Sequence, residues 1–189
     1  MNAEIVTVGD EILFGHIVDT NSAFIGQHLS DIGVSIDWIT TVGDSYDHLV
    51  EAFKSAWKRV DVVLVTGGLG PTHDDITKKV FCDVFGMQTR LDWEVLDHIR
   101  ERFVRRGIEM PESNVVQAMI PVGASVLWNP VGTAPGLHLV RDGRQIFLIP
   151  GVPGEMERLM ADHVLPILSR ETGGLVIHHL TLRSSGISE

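Results

Sequence analysis

Four short stretches concentrate the residue types that could do chemistry. They are Gly9-Asp10-Glu11 to Gly15, Thr66-Gly67-Gly68-Leu69-Gly70-Pro71-Thr72-His73-Asp74-Asp75, Asn129-Pro130-Val131-Gly132-Thr133-Ala134-Pro135-Gly136, and Pro150-Gly151-Val152-Pro153-Gly154-Glu155. Each mixes glycine or proline with short polar or acidic side chains, and each adjoins a strand-like run. Backbone without Cβ atoms lets a phosphate approach N–H groups, and a helix starting just beyond favours negative charge. These stretches therefore point to binding of a phosphate-bearing small molecule.

The second stretch is the most specific. Gly67, Gly68 and Gly70 follow an apolar run, the Asp74-Asp75 pair comes next, and Thr77 opens a helical pattern. Two carboxylates beside a phosphate repel it unless a cation lies between, and magnesium is commonly held by one or two carboxylates plus substrate phosphates. Asp74 and Asp75 are the candidate metal ligands, with helix capping and dipole pairing as the competing role. There is no Gly-Lys-Ser/Thr ending, so the segment is not a P-loop. Asp10, Glu11, Asp44 and Glu155 also sit at strand or helix ends, where solvated turns and helix dipoles compete with a ligand role. His73 reads as a surface loop residue within reach of a phosphate. His178 and His179, adjacent on an expected strand, would face opposite sides and make no simple paired metal site. Cys82 reads as a small core hydrophobe. No serine or cysteine is paired with a histidine in a nucleophile pattern.

These groups must be positioned by alternating strands and helices. Ile5 to Val8 reads as a buried strand, Asn21 to Ile32 as a helix stopped by Gly33, and Val34 to Val42 as β-rich. Ser45 to Lys58 has helical spacing through Leu49, Phe53 and Trp57. Val60 to Val65 has Asp61 as its single polar member; such a run is buried on both faces and predicts a central parallel strand. Helical spacing resumes through Ile76, Val80 and Val84 to Gly86, and again from Trp93 to Arg106, with a short helical piece at Glu112 to Gln117. Ser125 to Trp128 precedes a hairpin in which Leu137–Arg141 and Gln145–Ile149 flank the turn Asp142-Gly143. A helix is expected from Pro153 to Leu165 and a strand over Leu175 to Leu182. The alternation predicts a three-layer α/β/α fold: a mostly parallel sheet with helices on both faces. In such sheets ligands bind outside the carboxyl ends of the strands.

Composition narrows the partners. The 189 residues carry a net charge of −10, which argues against direct nucleic-acid binding, because that needs a basic face. The cluster Arg100 to Arg106 is interrupted by Glu101 and reads as a solvated helix face. No apolar run approaches the roughly 20 residues of a membrane helix, and the amino terminus has no signal-peptide pattern. The single cysteine permits no intramolecular disulfide and suits a cytoplasmic setting.

Taken together, GDEILFG at 9–15, DTNS at 19–22, VGD at 42–44, TGGLGPTHDDIT at 66–77, RRGIEMPESNVVQA at 105–118, NPVGTAPG at 129–136 and IPGVPGEM at 149–156 resemble the CinA (competence/damage-inducible) family. That family lies within the wider molybdopterin-binding, molybdenum-cofactor-biosynthesis superfamily. The resemblance covers nearly the whole chain in the family's order. It implies a molybdopterin-binding-like domain over 1–170, with 171–189 beginning a following segment, so that the chain resembles either a shortened family member or a short stand-alone relative. It implies a pterin or nucleotide pocket in which Asp44 and Asp75 are the key acids. Gly9, Asp10, Glu11, Asn21, Gly67, Gly68, Leu69, Gly70, Pro71 and Thr72 would line it from one side. Gly132, Thr133, Ala134, Pro135, Gly136, Pro150, Gly151, Val152, Pro153 and Glu155 would line it from the other. A divalent metal, magnesium or cobalt, would sit at Asp74 and Asp75. The resemblance further implies metal-dependent hydrolysis of the diphosphate of ADP-ribose or a related nucleotide, and a homo-oligomer. The alternative is a pterin- or nucleotide-binding module without turnover, or a molybdopterin-handling protein. The nicotinamide mononucleotide deamidase activity of the family's separate C-terminal domain is not carried over.

Overall fold

The computed structural model describes residues 1–174, 176 and 177. Its centre is a six-stranded sheet in the order β2-β1-β3-β8-β7-β6. The strands are β1 (Asn2–Val8), β2 (Ser35–Val42), β3 (Val62–Thr66), β6 (Ser125–Leu127), β7 (Gly136–Arg141) and β8 (Arg144–Ile149). Strands β2, β1, β3 and β8 run parallel, while β7 and β6 continue the sheet antiparallel. β3 is central, buried at all five positions and flanked by parallel neighbours on both sides. It begins at Val62, two residues after the apolar run starts, because Val60 ends the preceding helix.

Side-chain alternation in these strands builds two cores. Val6, Val8, Val63, Val65, Ile146 and Leu148 face one side and pack with α3 (Tyr46–Arg59), α4 (Thr77–Phe85) and α5 (Trp93–Arg105). Ala3, Ile5, Val62, Leu64, Phe147 and Ile149 face the other and pack with α2 (Thr20–Asp31) and α6 (Pro153–Leu159). α6 runs on through a π-turn at Met160–Val164 into α7 (Leu165–Glu171), so the last expected helix is longer than its sequence pattern indicated. The Asp142-Gly143 turn has positive φ at both residues, 53° and 75°, the geometry that matches the twist of a two-residue hairpin.

Three elements depart from the sequence reading. Asp10–Leu13, expected as loop, forms a short helix, α1. Thr89–Leu91 (β4) and Met119–Pro121 (β5) make a separate antiparallel pair whose partners lie too far apart in sequence to announce each other. The short helical piece expected at Glu112 to Gln117 is present as a 3-10 helix over Glu112–Ala118. The strand expected over Leu175 to Leu182 and the His178-His179 pair fall outside the described residues, apart from Val176 and Ile177. Among the described residues no helix is long and apolar enough to cross a membrane.

Candidate functional site

The chain leaves β1 for β2 on one side and returns to β3 on the other, so a crevice opens between the carboxyl ends of β1 and β3. There the four stretches converge on one cleft of about 510 Å³. Gly9 and Glu11 come from the end of β1, and Gly67, Gly68, Leu69, Gly70 and Pro71 from the end of β3. Thr133 and Ala134 come from the loop before β7, and Pro150, Gly151, Val152 and Glu155 follow β8. Asn21, Asp44, Asp74 and Asp75 complete the expected lining.

Six expected residues do not line the cleft. Asp10 and Thr72 hold neighbouring acids instead. Gly132, Pro135 and Gly136 shape the loop behind Thr133, and Pro153 starts α6. Conversely, Thr7, Val8, Ile12, Thr66 and Gln117 line it without having been expected. Thr7, next to last in β1, and Thr66, last in β3, lie at the carboxyl ends of strands that lead into the crevice, a position readable once the strands are placed. Gln117 arrives on the 3-10 segment and donates to the Leu69 carbonyl at 3.4 Å, a meeting that no local signal foretells.

The strand ends pack closely because they lack side chains. Gly67 has φ +110°, and a Cβ there would meet the Val8 carbonyl oxygen at 2.3 Å. Only glycine brings β3 and β1 this near. No hydrogen bond within the chain is made by the N–H groups of Gly68, Leu69 and Gly70 among the described residues. Asn21, 8% exposed, bridges two loops: its Nδ2 donates to Thr66 Oγ1 at 3.1 Å and to the Gly151 carbonyl at 2.8 Å. Thr66 Oγ1 spends its proton on the Pro150 carbonyl at 3.0 Å, which makes it an acceptor toward Asn21. The network thus fixes the amide orientation, and Asn21 Oδ1 is left buried without a partner.

The acids are held by the backbone. Asp10 and Asp44 exchange contacts, each backbone N–H lying 3.3 Å from the other's carboxylate. Burial is the largest influence raising the Asp44 pKa; the Asp10 N–H opposes it, and the charges of Asp10, Glu11 and Asp75 raise it further. Asp75 Oδ2 accepts from the Thr72 N–H at 3.0 Å and from the Thr72 hydroxyl. Asp74 turns to His73 at 3.1 Å, both well exposed. Glu155 Oε2 accepts from Asn129 Nδ2 at 2.7 Å.

Among the described residues no three His, Cys, Asp or Glu side chains come close enough to hold a metal ion by themselves. Asp74 and Asp75 do not form a closed cage, and a cation at them would need ligand phosphates to complete its shell.

The far wall is braced from behind. Asn129 Oδ1 accepts from the N–H groups of Val131 and Gly132, while its Nδ2 also reaches the Ala134 carbonyl. From α5, His98 meets the Asn129 carbonyl at 3.1 Å, and Arg102 donates to the carbonyls of Pro130, at 2.7 Å, and Val131. The solvated-face reading of Arg100 to Arg106 is therefore corrected at Arg102. Arg100 and Arg105 do pair with acids on their own helix, Asp97 and Glu101.

Residues 4–170 match a family model described as "Probable molybdopterin binding domain". A "CinA-like protein" of Dictyoglomus turgidum is 41% identical over all of this chain and 46% of its own length. A "CinA-like protein" of Thermomicrobium roseum is 37% identical over all of this chain and 47% of its own length. The chain spans less than half the length of these relatives. The crystal structure of the protein CinA from Thermoplasma acidophilum superposes with a TM-score of 0.80 at 37% identity, covering 90% of this chain and 97% of that one. A molybdopterin biosynthesis protein from Mycobacterium abscessus shares the fold, with a TM-score of 0.60 at 19% identity over 92% of this chain and 94% of that one.

Proposed function

The chain belongs to the CinA family, within the molybdopterin-binding domain family, and on that premise we propose that its cleft binds a phosphorylated pterin of the molybdopterin type. The observation that carries this reading is the buried, unpartnered Asn21 Oδ1 at the cleft wall. A buried acceptor without a donor is costly, so it is matched to a ligand that brings one. A phosphate has no N–H to offer it; the exocyclic amino group of a pterin does. The free N–H groups of Gly68, Leu69 and Gly70 suit the phosphate of the same ligand. The cleft volume lies within the usual range of small-molecule sites, about 300–1,000 Å³.

Titration calorimetry with a pterin bearing a side-chain phosphate tests this. The matching lumazine replaces the amino group with a carbonyl and presents an acceptor where Asn21 needs a donor. It should bind at least about tenfold more weakly. Equal binding of the two would remove the basis of the proposal.

A second reading is favoured by one feature, the gathering of Asp44, Asp10, Glu11 and Asp75 closely enough for their charges to act on Asp44. Four acids beside a phosphate site suit a cation-dependent hydrolase acting on the diphosphate of ADP-ribose. Incubation with ADP-ribose and magnesium or cobalt, followed by assay for AMP, decides it. AMP release establishes turnover, and its absence leaves a binding module.

A further inference from the structure

A second cavity, of about 400 Å³, adjoins the cleft along Gly68, Leu69, Gly70 and Asp75, which line both. Lys78 enters it from the first turn of α4. Its Nζ donates to the Val116 carbonyl, and no carboxylate lies within ion-pair distance among the described residues. Burial pushes its ammonium down from the ordinary 10.5 to about 8.

This placement works against the helix. A cation in the first turn faces the positive end of the helix dipole. α4 has no side-chain cap and no acid in its first turn, and both Lys78 and Lys79 stand there. Thr77 Oγ1, fully buried against Gly68, has no hydrogen-bond partner. Thr77 lines neither cavity; the helix start without a side-chain cap and the ammonium without a counter-ion both favour an anion.

The other charged groups of the cavity are partly engaged. Asp75 Oδ2 is turned to Thr72, and Asp83 accepts from the Tyr46 hydroxyl at 2.9 Å. Lys79 lies over the Tyr46 ring at 5.7 Å. Burial raises the Cys82 thiol pKa, which keeps the thiol neutral. The remaining lining includes Met87, Val116 and Met119. This volume exceeds what an inorganic ion fills, and methionine adapts well to flat rings.

We propose that this cavity is a second ligand site, taking a phosphate monoester whose phosphate pairs with Lys78 and whose flat ring rests on Met87, Val116 and Met119. The site is independent of the pterin reading of the main cleft. The probe is AMP, added to the full chain while each lysine is acetylated across pH 7 to 10 and read by peptide mass spectrometry. Saturating AMP should slow acetylation of Lys78 at least about tenfold at pH 8 and leave Lys54 unchanged. Lys78→Met should weaken AMP binding about 10- to 100-fold, as expected for a lost charge-assisted hydrogen bond, whereas Lys79→Met should bind nearly as wild type. Met87→Trp, which fills this cavity without reaching the main cleft, should abolish the protection, so an effect relayed from the cleft would be exposed. Unchanged labelling of wild-type Lys78 with AMP overturns the proposal whether or not the variants fold. So does wild-type AMP affinity in Lys78→Met, or protection that survives Met87→Trp.

Discussion

Asn129 Nδ2 lies 2.7 Å from Glu155 Oε2, joining the loop before β7 to the start of α6. Gly132 passes directly over this contact; a Cβ there would fall 1.9 Å from Glu155 Oε2 and 2.5 Å from Asn129 Nδ2. The glycine is therefore required by space, and the two loops form one wall of the cleft because a single amide ties them.

Removing that amide should cost the fold dearly. Asn129 is 2% exposed and satisfies two N–H groups, one carbonyl and one carboxylate. Asn129→Leu strands several of these and should destabilise the chain by roughly 2–4 kcal/mol, read as a lower melting temperature. Gly132→Ala should also lower it, by displacing Glu155. A Gly132→Ala melting temperature equal to wild type would show that the loop yields freely.

Arg102 should act as a positioning residue. Its guanidinium holds the carbonyls of Pro130 and Val131, a fork that the single ammonium of lysine does not reproduce. Arg102→Met and Arg102→Lys should both speed amide hydrogen exchange over 129–134 and weaken pterin binding, with the rest of the exchange map unchanged. Full rescue by lysine would show that charge alone matters.

Asp44 sets a pH dependence of definite sign. Its folded pKa is raised above 3.8, chiefly by burial, so the folded chain keeps this proton to higher pH than the unfolded chain does. Stability contributed by this group therefore falls as pH rises from 3.8 through the raised value. Asp44→Asn removes the ionisation and keeps an oxygen to accept the Asp10 N–H. The melting temperature of wild type relative to Asp44→Asn should decline across that acid window and then level off. A rising difference would reverse the assignment.

Between β1, β2 and the end of α3, Glu4 is fully buried and bonded by Arg59 Nε at 2.7 Å and Nη2 at 2.5 Å, with Thr40 donating at 2.7 Å. Arg59→Leu would leave a buried carboxylate without its cation. The cost should be about 2–4 kcal/mol, somewhat less than for a fully enclosed pair because Arg59 reaches solvent. Glu4→Gln in the same background should recover part of the lost melting temperature. No recovery would mean that packing rather than charge is lost.

The sequence by itself determined what depends on neighbours along the chain. The apolar run interrupted only by Asp61 gave a central strand, the 3.6-residue spacings gave helices, and Asp142-Gly143 gave a hairpin whose two positive φ values are a local demand. The glycine-rich stretches could be placed at strand ends, and the parallel sheet then brought those ends to one edge. The family resemblance was legible for the same reason, since it rests on contiguous motifs. Tertiary structure decided everything that joins residues distant in sequence. The β4–β5 pair, the entry of Gln117 into the cleft and the grip of Arg102 on the 130–131 carbonyls carry no periodic or compositional mark. Asn21 is the sharpest case. Its motif marks the position, but the free Oδ1 exists because Thr66 and Gly151, 45 and 130 residues away, consume its amide protons. Hydrogen-bond satisfaction is a property of the folded neighbourhood, and only the packed chain fixes which atom is left over.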